Sequence, residues 1–199
     1  MAITTALQRQ PTSLDFANGT QFRFNILRLP NVEYFVTGVN LPGISFSGEA
    51  NINTRYKSIS MMGDVLDYSD LEITFAVQEN YANYKEIHDW MTGIGFPKNT
   101  DQFGNAVTEY ADLTPGSNPS TTDANRAGTG KTPVNPSSLF SDASLTLLTN
   151  KNNPTLKVSF KNIHPINLSS LAFNTQITDT EPLTATATFR YHLYEFETL

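Results

Sequence analysis

Three histidines are the first candidates for acid-base chemistry in this chain of 199 residues. His88 lies in a helical pattern, His164 precedes a proline, and His192 falls on the polar side of an alternating segment. General acid-base catalysis needs a nucleophile or a second acid close to such a residue, and no motif supplies one. The chain also has no cysteine, which removes thiolate nucleophiles and sulfur-ligated metals. We therefore expect no catalytic residues and no enzymatic activity.

Residues 126–132 end like a phosphate-binding loop. That motif begins with a glycine where this chain has Asn125, and it needs a strand before the loop and a helix after it. Pro133 follows the segment instead, so the helix N-terminus that would hold a phosphate is missing. We expect no nucleotide and no other cofactor.

Four acidic residues lie close together in the sequence and could in principle hold calcium: Asp64, Asp67, Asp70 and Glu72. Their spacing matches no standard calcium loop, because the glycine and the closing glutamate of such a loop are lacking at the required positions. We expect no metal site. With 19 acidic and 13 basic residues, the chain carries a net charge of −6. Such a surface repels polyanions and does not grip nucleic acid by its phosphates.

The targeting signals of secreted and membrane proteins are missing from the sequence. The first residues contain no apolar run that resembles a signal peptide. A run of about 18 consecutive apolar residues, which could span a membrane, occurs nowhere. We expect a soluble protein that is made in a cytoplasm and has no membrane partner.

Alternation of apolar and polar residues predicts a mainly β protein. We expect strands at residues 21–27, 32–39, 70–77, 143–149, 156–160, 168–173 and 183–196. A helix is expected from Asn80, which can cap it, to Ile94, and Gly95 and Pro97 should end it. These elements predict one domain over residues 1–199, an antiparallel β-sandwich or half-barrel with one flanking α-helix.

Three segments depart from this pattern: an N-terminal arm (1–18), a polar excursion (45–68) and a long polar loop (98–138). Within the excursion, Gly63 and Asp64 are expected to form the type II′ turn of a hairpin. Such a hairpin has too few apolar residues to stand alone, so it should lean on its parent sheet or on a neighbouring molecule. The expected last strand is too long for one ladder and should bend or pair outside the local sheet.

The order of these segments resembles the tail tube proteins of T4-like, contractile-tailed bacteriophages. Three motifs carry the resemblance: the Leu41-Pro42 turn, Gly63-Asp64 followed by an acidic and aromatic strand, and the Asp89-Trp90 pair in the helix. The resemblance implies that six copies close a ring around one inter-subunit β-barrel, to which each copy contributes strands. It further implies that the rings stack into the tube of a virion tail, through which DNA is ejected.

The resemblance also implies roles for particular residues. Inter-subunit and ring-stacking contacts would come from the excursion: Asn53, Arg55, Lys57, Met61, Gly63 and Asp64. Lumen-facing residues would lie on two strands: Asp70, Glu72, Thr186 and Thr188. The implied partners are further copies of the chain, tail sheath and baseplate proteins, the tape-measure protein, and transient DNA that is not bound specifically.

Two alternatives stay open. The loop at 98–138 is longer than tail tube subunits usually carry, which points to a specialised ring of the same fold, either a tube initiator near the baseplate or a tail terminator. The other alternative is a monomeric β-sandwich that binds carbohydrate. Its stacking platforms would be exposed aromatic residues: Tyr34, Tyr56, Tyr68 and Trp90.

Overall fold

The computed structural model describes residues 14–95, 97–98, 139–175 and 182–199. These residues form two helices, α1 (Pro30–Phe35) and α2 (Ala82–Gly95), and the following strands: β1 (Phe22–Ile26), β2 (Val36–Val39), β3 (Ile44–Ser47), β4 (Ala50–Asn53), β5 (Ser58–Met61), β6 (Val65–Tyr68), β7 (Leu71–Ala76), β8 (Ser141–Leu148), β9 (Pro154–Leu168), β10 (Thr184–Arg190) and β11 (Leu193–Thr198). Most of the N-terminal arm, nearly all of the long polar loop and the phosphate-loop-like segment lie outside the described residues.

The strands make two antiparallel layers that share one long strand. The first layer has the order β1-β8-β9-β11, and the second has the order β9-β10-β7-β2. The first part of β9 pairs with β8 and β11, while its last part pairs with β10. The predicted mainly β fold, an antiparallel sandwich or half-barrel with a flanking helix, is confirmed.

A bulge allows β9 to serve both layers. Between the pairs Ala143–Phe160 and Ser141–Ile163, β9 carries one extra residue, and Asn162 has a positive φ of 55°. The Asn162 N–H donates to Asp142 Oδ1 at 3.0 Å. Such a bulge bends a strand and increases its twist, which is what a strand must do to leave one layer and enter the next.

The sequence predicts a strand that ends at residue 160, but β9 continues through His164 and Pro165 to Leu168. Pro165 lies opposite Phe189, where the register between β9 and β10 shifts. A proline is tolerated at such an irregularity, since its missing N–H removes no regular ladder bond. The strand expected at 168–173 is therefore only the end of β9.

The core lies between the two layers and α2. The predicted alternation holds in β7, where Leu71, Ile73 and Phe75 are buried, and in the other core strands. Asn80 caps α2 as predicted, since its Oδ1 accepts the Ala82 N–H at 3.1 Å. The buried apolar residues of α2 lie on one side of the helix and pack in the core against the sheet. α2 is therefore the flanking helix that the sequence predicts.

The chain path corrects one further expectation and agrees with another. Residues 32–39 are not one strand, because α1 precedes β2. Pro30 presets the backbone angle of the first helical turn, and the helix buries Val32 completely, so packing overrides the β preference of Tyr34 and Phe35. The long last strand bends at Tyr191, as expected, and becomes β10 and β11.

The polar excursion is one hairpin with two successive ladders. β3 pairs with β6, and β4 pairs with β5 further out. The turn lies at the far tip, where the Thr54 N–H donates to the Lys57 carbonyl at 3.1 Å. The prediction that Gly63 and Asp64 form the turn is wrong, because those residues lie between the two ladders.

Gly63 instead allows two backbone segments to approach closely. Two residues separate the ladders on the first side of the hairpin and three separate them on the second side, which is a bulge. A Cβ on Gly63 would stand 2.1 Å from the Ser47 carbonyl oxygen, and Gly48 opposite has a positive φ of 80°. Both glycines are needed to join the ladders.

Candidate functional site

The histidines do not form a catalytic constellation in the described part of the chain. His88 is exposed on α2 beside Asp89. His164 and His192 both contact the ring of Phe140, at centroid distances of 5.5 Å and 5.7 Å. Among the described residues, no group of three or more His, Cys, Asp or Glu could hold a metal ion. No helix in those ranges is long and apolar enough to cross a lipid bilayer.

Burial lowers the pKa of His164 below its ordinary value of 6.5, and the nearby His192 and Arg190 act in the same direction. Below pH 6.5 the His164 imidazole is protonated in the unfolded chain but still neutral in the folded chain. The free energy of unfolding should therefore fall as the pH drops through this range. We expect His164→Gln to lose less unfolding free energy than the wild type between about pH 7.5 and pH 5.5 in urea titrations. Equal losses would show that His164 does not titrate differently on folding.

The sheet brings the predicted lumen residues onto one face. Glu72 of β7 lies directly opposite Thr188 of β10, and Thr186 lies opposite Thr74 on the same face. Asp70 accepts a hydrogen bond from Arg190 Nε at 3.1 Å, so its charge is balanced. This polar face carries threonine hydroxyls, the Glu72 carboxylate and the Asp70–Arg190 pair, and it lies on the side of the ladder away from the core.

The predicted stacking residues are distributed along the hairpin. Asn53, Arg55 and Lys57 lie at its tip, and Met61 lies on the outer ladder. Asp64 lies beside Gly48 at the bulge, where Gly63 is buried. Every residue from 49 to 62 is exposed. The exposed residues therefore form the surface of the hairpin, while Gly63 allows the close backbone approach at the bulge.

Sequence reasoning missed that each ladder of the hairpin has one apolar face. Residues directly opposite one another share a face, so the register assembles these apolar faces from Ile44, Phe46 and Leu66 on the inner ladder and from Ile52, Ile59 and Met61 on the outer one. About half of each side chain is exposed, as for Phe46 at 57% and Ile52 at 51%. The signal was present as short alternation in β3, β4 and β5, whereas β6 begins with two apolar residues. Exposed apolar surface of this kind marks an interaction site.

A cluster of three tyrosines, Tyr68, Tyr191 and Tyr194, lies at the root of the hairpin. Tyr68 contacts Tyr191 and Tyr194 at ring-centroid distances of 5.9 Å and 5.5 Å. Burial raises the pKa of Tyr191 above its ordinary value, and Tyr194 adds to this effect. The Tyr191 hydroxyl therefore remains a proton donor at physiological pH.

The aromatic residues proposed as carbohydrate platforms do not share a surface. The prediction that Trp90 is exposed is wrong, because 2% of it is accessible and it packs in the core. Tyr68 is half-buried in the tyrosine cluster. Tyr34 and Tyr56 are exposed, but one lies on α1 and the other at the hairpin tip. These positions offer no joint stacking platform for a sugar.

The architecture is shared with solved structures at low sequence identity. A chain in the six-fold symmetrised cryo-EM structure of the anti-feeding prophage baseplate matches with a TM-score of 0.50 and 9% identity, over 92% of this chain and 96% of that chain. A chain in the structure of the anti-feeding prophage cap, the tube-terminating cap, matches with a TM-score of 0.50 and 15% identity over 100% of both chains. The chain has a contractile-tail tube fold.

A further match to this tail-tube fold comes from the sheath-tube complex of an extracellular contractile injection system, with a TM-score of 0.48 and 12% identity over 92% of this chain and 93% of that chain. No protein family and no curated protein matches the sequence. At these identities the two matches with a TM-score of 0.50 establish the tail-tube fold and no activity.

The motifs that carried the sequence resemblance have structural positions in this tail-tube fold. Pro42 is buried at the hairpin root, where its carbonyl accepts a hydrogen bond from Tyr194. Gly63 forms the bulge between the ladders. On α2, Asp89 pairs with Lys85 at the surface while Trp90 enters the core. Two of the three motifs therefore shape the hairpin, whose residues 49–62 are all exposed.

Proposed function

We propose that the chain is a structural tube component of a contractile, phage-tail-like particle. Copies of the chain form hexameric rings, and the rings stack into a conduit within a virion tail after synthesis in the host cytoplasm. The observation that carries this proposal is the hairpin from β3 to β6, which presents apolar faces on a protruding element that its own core does not cover.

Such a hairpin is not stable by its own packing. Each strand has four residues, and a two-stranded ribbon in water is marginal without a further apolar surface. A second copy of the chain is the proposed partner, because the tail-tube fold is the fold of particle components that occur in rotationally symmetric assemblies. A hairpin that reaches onto the next copy generates a ring when the rotation closes, and a stack when it points along the axis.

The polar face of β7 and β10 is the proposed lining of the conduit. Asp70, Glu72, Thr186 and Thr188 lie there together, and the chain as a whole is acidic. The Arg190 guanidinium on this face is paired with Asp70. Because the remaining groups are hydroxyls and the Glu72 carboxylate, a phosphate backbone should pass without being held. The same lining would contact a tape-measure protein before ejection. Sheath and baseplate proteins are the proposed partners at the outer wall and at the end of the tube.

A specialised end ring of the same fold is the second candidate. Of the two structures that match with a TM-score of 0.50, one is a tube-terminating cap and the other is a baseplate, and both align over nearly the whole length of this chain. An end ring binds the tube on one face only. It should therefore form single rings in isolation, whereas a repeating tube subunit should form stacks.

A pair of neighbouring substitutions tests whether the apolar faces of the hairpin carry assembly. Ile59 and Ser60 are adjacent and exposed, and they point to opposite faces of the outer ladder. Ile59→Lys would place a charge in the contact and should weaken association roughly a hundredfold. Ser60→Lys adds the same charge on the other face and should weaken it far less.

Sedimentation velocity at increasing protein concentration measures both variants against the wild type. A wild-type protein that stays monomeric throughout would contradict the proposed function. If Ile59→Lys and Ser60→Lys weaken association equally, the contact between copies does not lie on the apolar faces.

A further inference from the structure

A continuous series of aromatic contacts joins the hairpin to the core. Phe160 of β9 is fully buried, and its ring contacts Tyr191 and Tyr194 at centroid distances of 5.2 Å and 5.7 Å. Both tyrosines contact Tyr68, the last residue of β6. The hairpin root therefore rests on rings that are themselves fixed against the core.

Two tyrosine hydroxyls hold the two ends of the hairpin separately. Tyr194 donates to the Pro42 carbonyl, before β3, at 3.2 Å. Tyr191 donates to the Ser69 carbonyl, directly after β6, at 2.9 Å. The Ser69 N–H in turn donates to the Gly43 carbonyl at 3.0 Å, which ties the two ends to each other. Any swing of the hairpin about its root would begin at these carbonyls.

We propose that Tyr191 and Tyr194 are positioning residues that fix the direction of the hairpin, and with it the geometry at which its apolar faces meet the next copy. This inference rests on the proposed assembly role. Residues 49–62 are all exposed, so the orientation of the hairpin is set at its root. Two hydrogen bonds on opposite ends resist rotation in a way that a single bond would not.

The absence of cysteine allows a direct measurement of this orientation. Spin labels on Tyr56→Cys, at the exposed tip, and on Lys85→Cys, exposed on α2, report the distance between hairpin and domain. Dilution of the labelled chain with an excess of unlabelled chain removes distances between copies. The test variant adds Tyr191→Phe and Tyr194→Phe, which keep both rings and delete both hydroxyls.

Tyr84→Phe is the matched control, because the Tyr84 hydroxyl also donates to a backbone carbonyl, that of Ser169 at 3.0 Å, away from the hairpin. We expect one narrow distance peak for the wild type and for the control. In the double variant the fraction outside that peak should rise roughly tenfold. Ring formation by the double variant should require a higher protein concentration than ring formation by the control.

Different results would contradict the positioning role of the tyrosines and the assembly role of the chain. A double variant with a distance distribution as narrow as that of the wild type would overturn the positioning role, whatever its assembly. If the double variant broadens while the wild type forms no rings, the tyrosines still orient the hairpin, and it is the proposed function that fails.

Discussion

Replacing residues 48–64 with Asn-Gly should give a folded domain that no longer assembles. Ser47 and Val65 are the last pair of the inner ladder, and an Asn-Gly turn closes such a pair as a two-residue hairpin. The removed segment includes residues 49–62, all of them exposed, and contributes nothing to the core. The thermal midpoint should therefore stay within a few degrees of the wild type, while rings and tubes disappear from electron micrographs.

A variant with the hairpin at full length controls for the change in surface. Asn51→Ser with Ser60→Thr alters only the polar face of the outer ladder and should assemble like the wild type. Near-ultraviolet circular dichroism, in which the single buried Trp90 contributes, checks that the shortened chain is folded. A shortened chain that is folded and still forms rings would show that assembly does not use the outer ladder.

Trp90→Ala should cost about 3–5 kcal/mol of unfolding free energy, which is a large part of the stability of a typical domain. The indole is buried against Phe189 at a centroid distance of 6.0 Å, and Arg28 lies 4.8 Å above the ring. Its Nε1 donates to the Leu139 carbonyl at 2.9 Å. Truncation therefore leaves a cavity between α2 and the sheet and also removes a buried hydrogen bond.

Trp90→Phe separates these two losses. It keeps most of the apolar volume and deletes the bond to Leu139, so it should cost about 1–2 kcal/mol. Urea unfolding followed by far-ultraviolet circular dichroism measures both variants without relying on tryptophan fluorescence. A loss below about 1 kcal/mol for Trp90→Ala would contradict the placement of α2 against the core.

The core strands could be predicted from the sequence because one of their faces is buried. In β7, Leu71, Ile73 and Phe75 alternate with polar residues, and a one-residue slip would expose all three. Asn80 could be recognised as a cap because its position just before the apolar stripe of α2 has a direct chemical reason. These predictions rest on local pattern and burial together.

The hairpin was predicted less well because burial does not select its register. Gly63-Asp64 has the composition of a turn, and only the paired strands show that the turn is further out. α1 was missed because the aromatic residues after Pro30 favour strands when they are considered alone. In the structure the burial of Val32 stabilises the helix instead. The hydrogen bonds from Tyr191 to the Ser69 carbonyl and from Tyr194 to the Pro42 carbonyl could not be predicted. They depend on how segments that are distant in the sequence meet in the fold.

Negative-stain electron microscopy of the purified wild-type chain tests most directly whether it is a tube component. The protein should form rings with six-fold symmetry, and a repeating tube subunit should stack them into tubes as the concentration rises. A specialised end ring should stop at single rings. Monodisperse single domains at every concentration, with the hairpin intact, would contradict the assembly role.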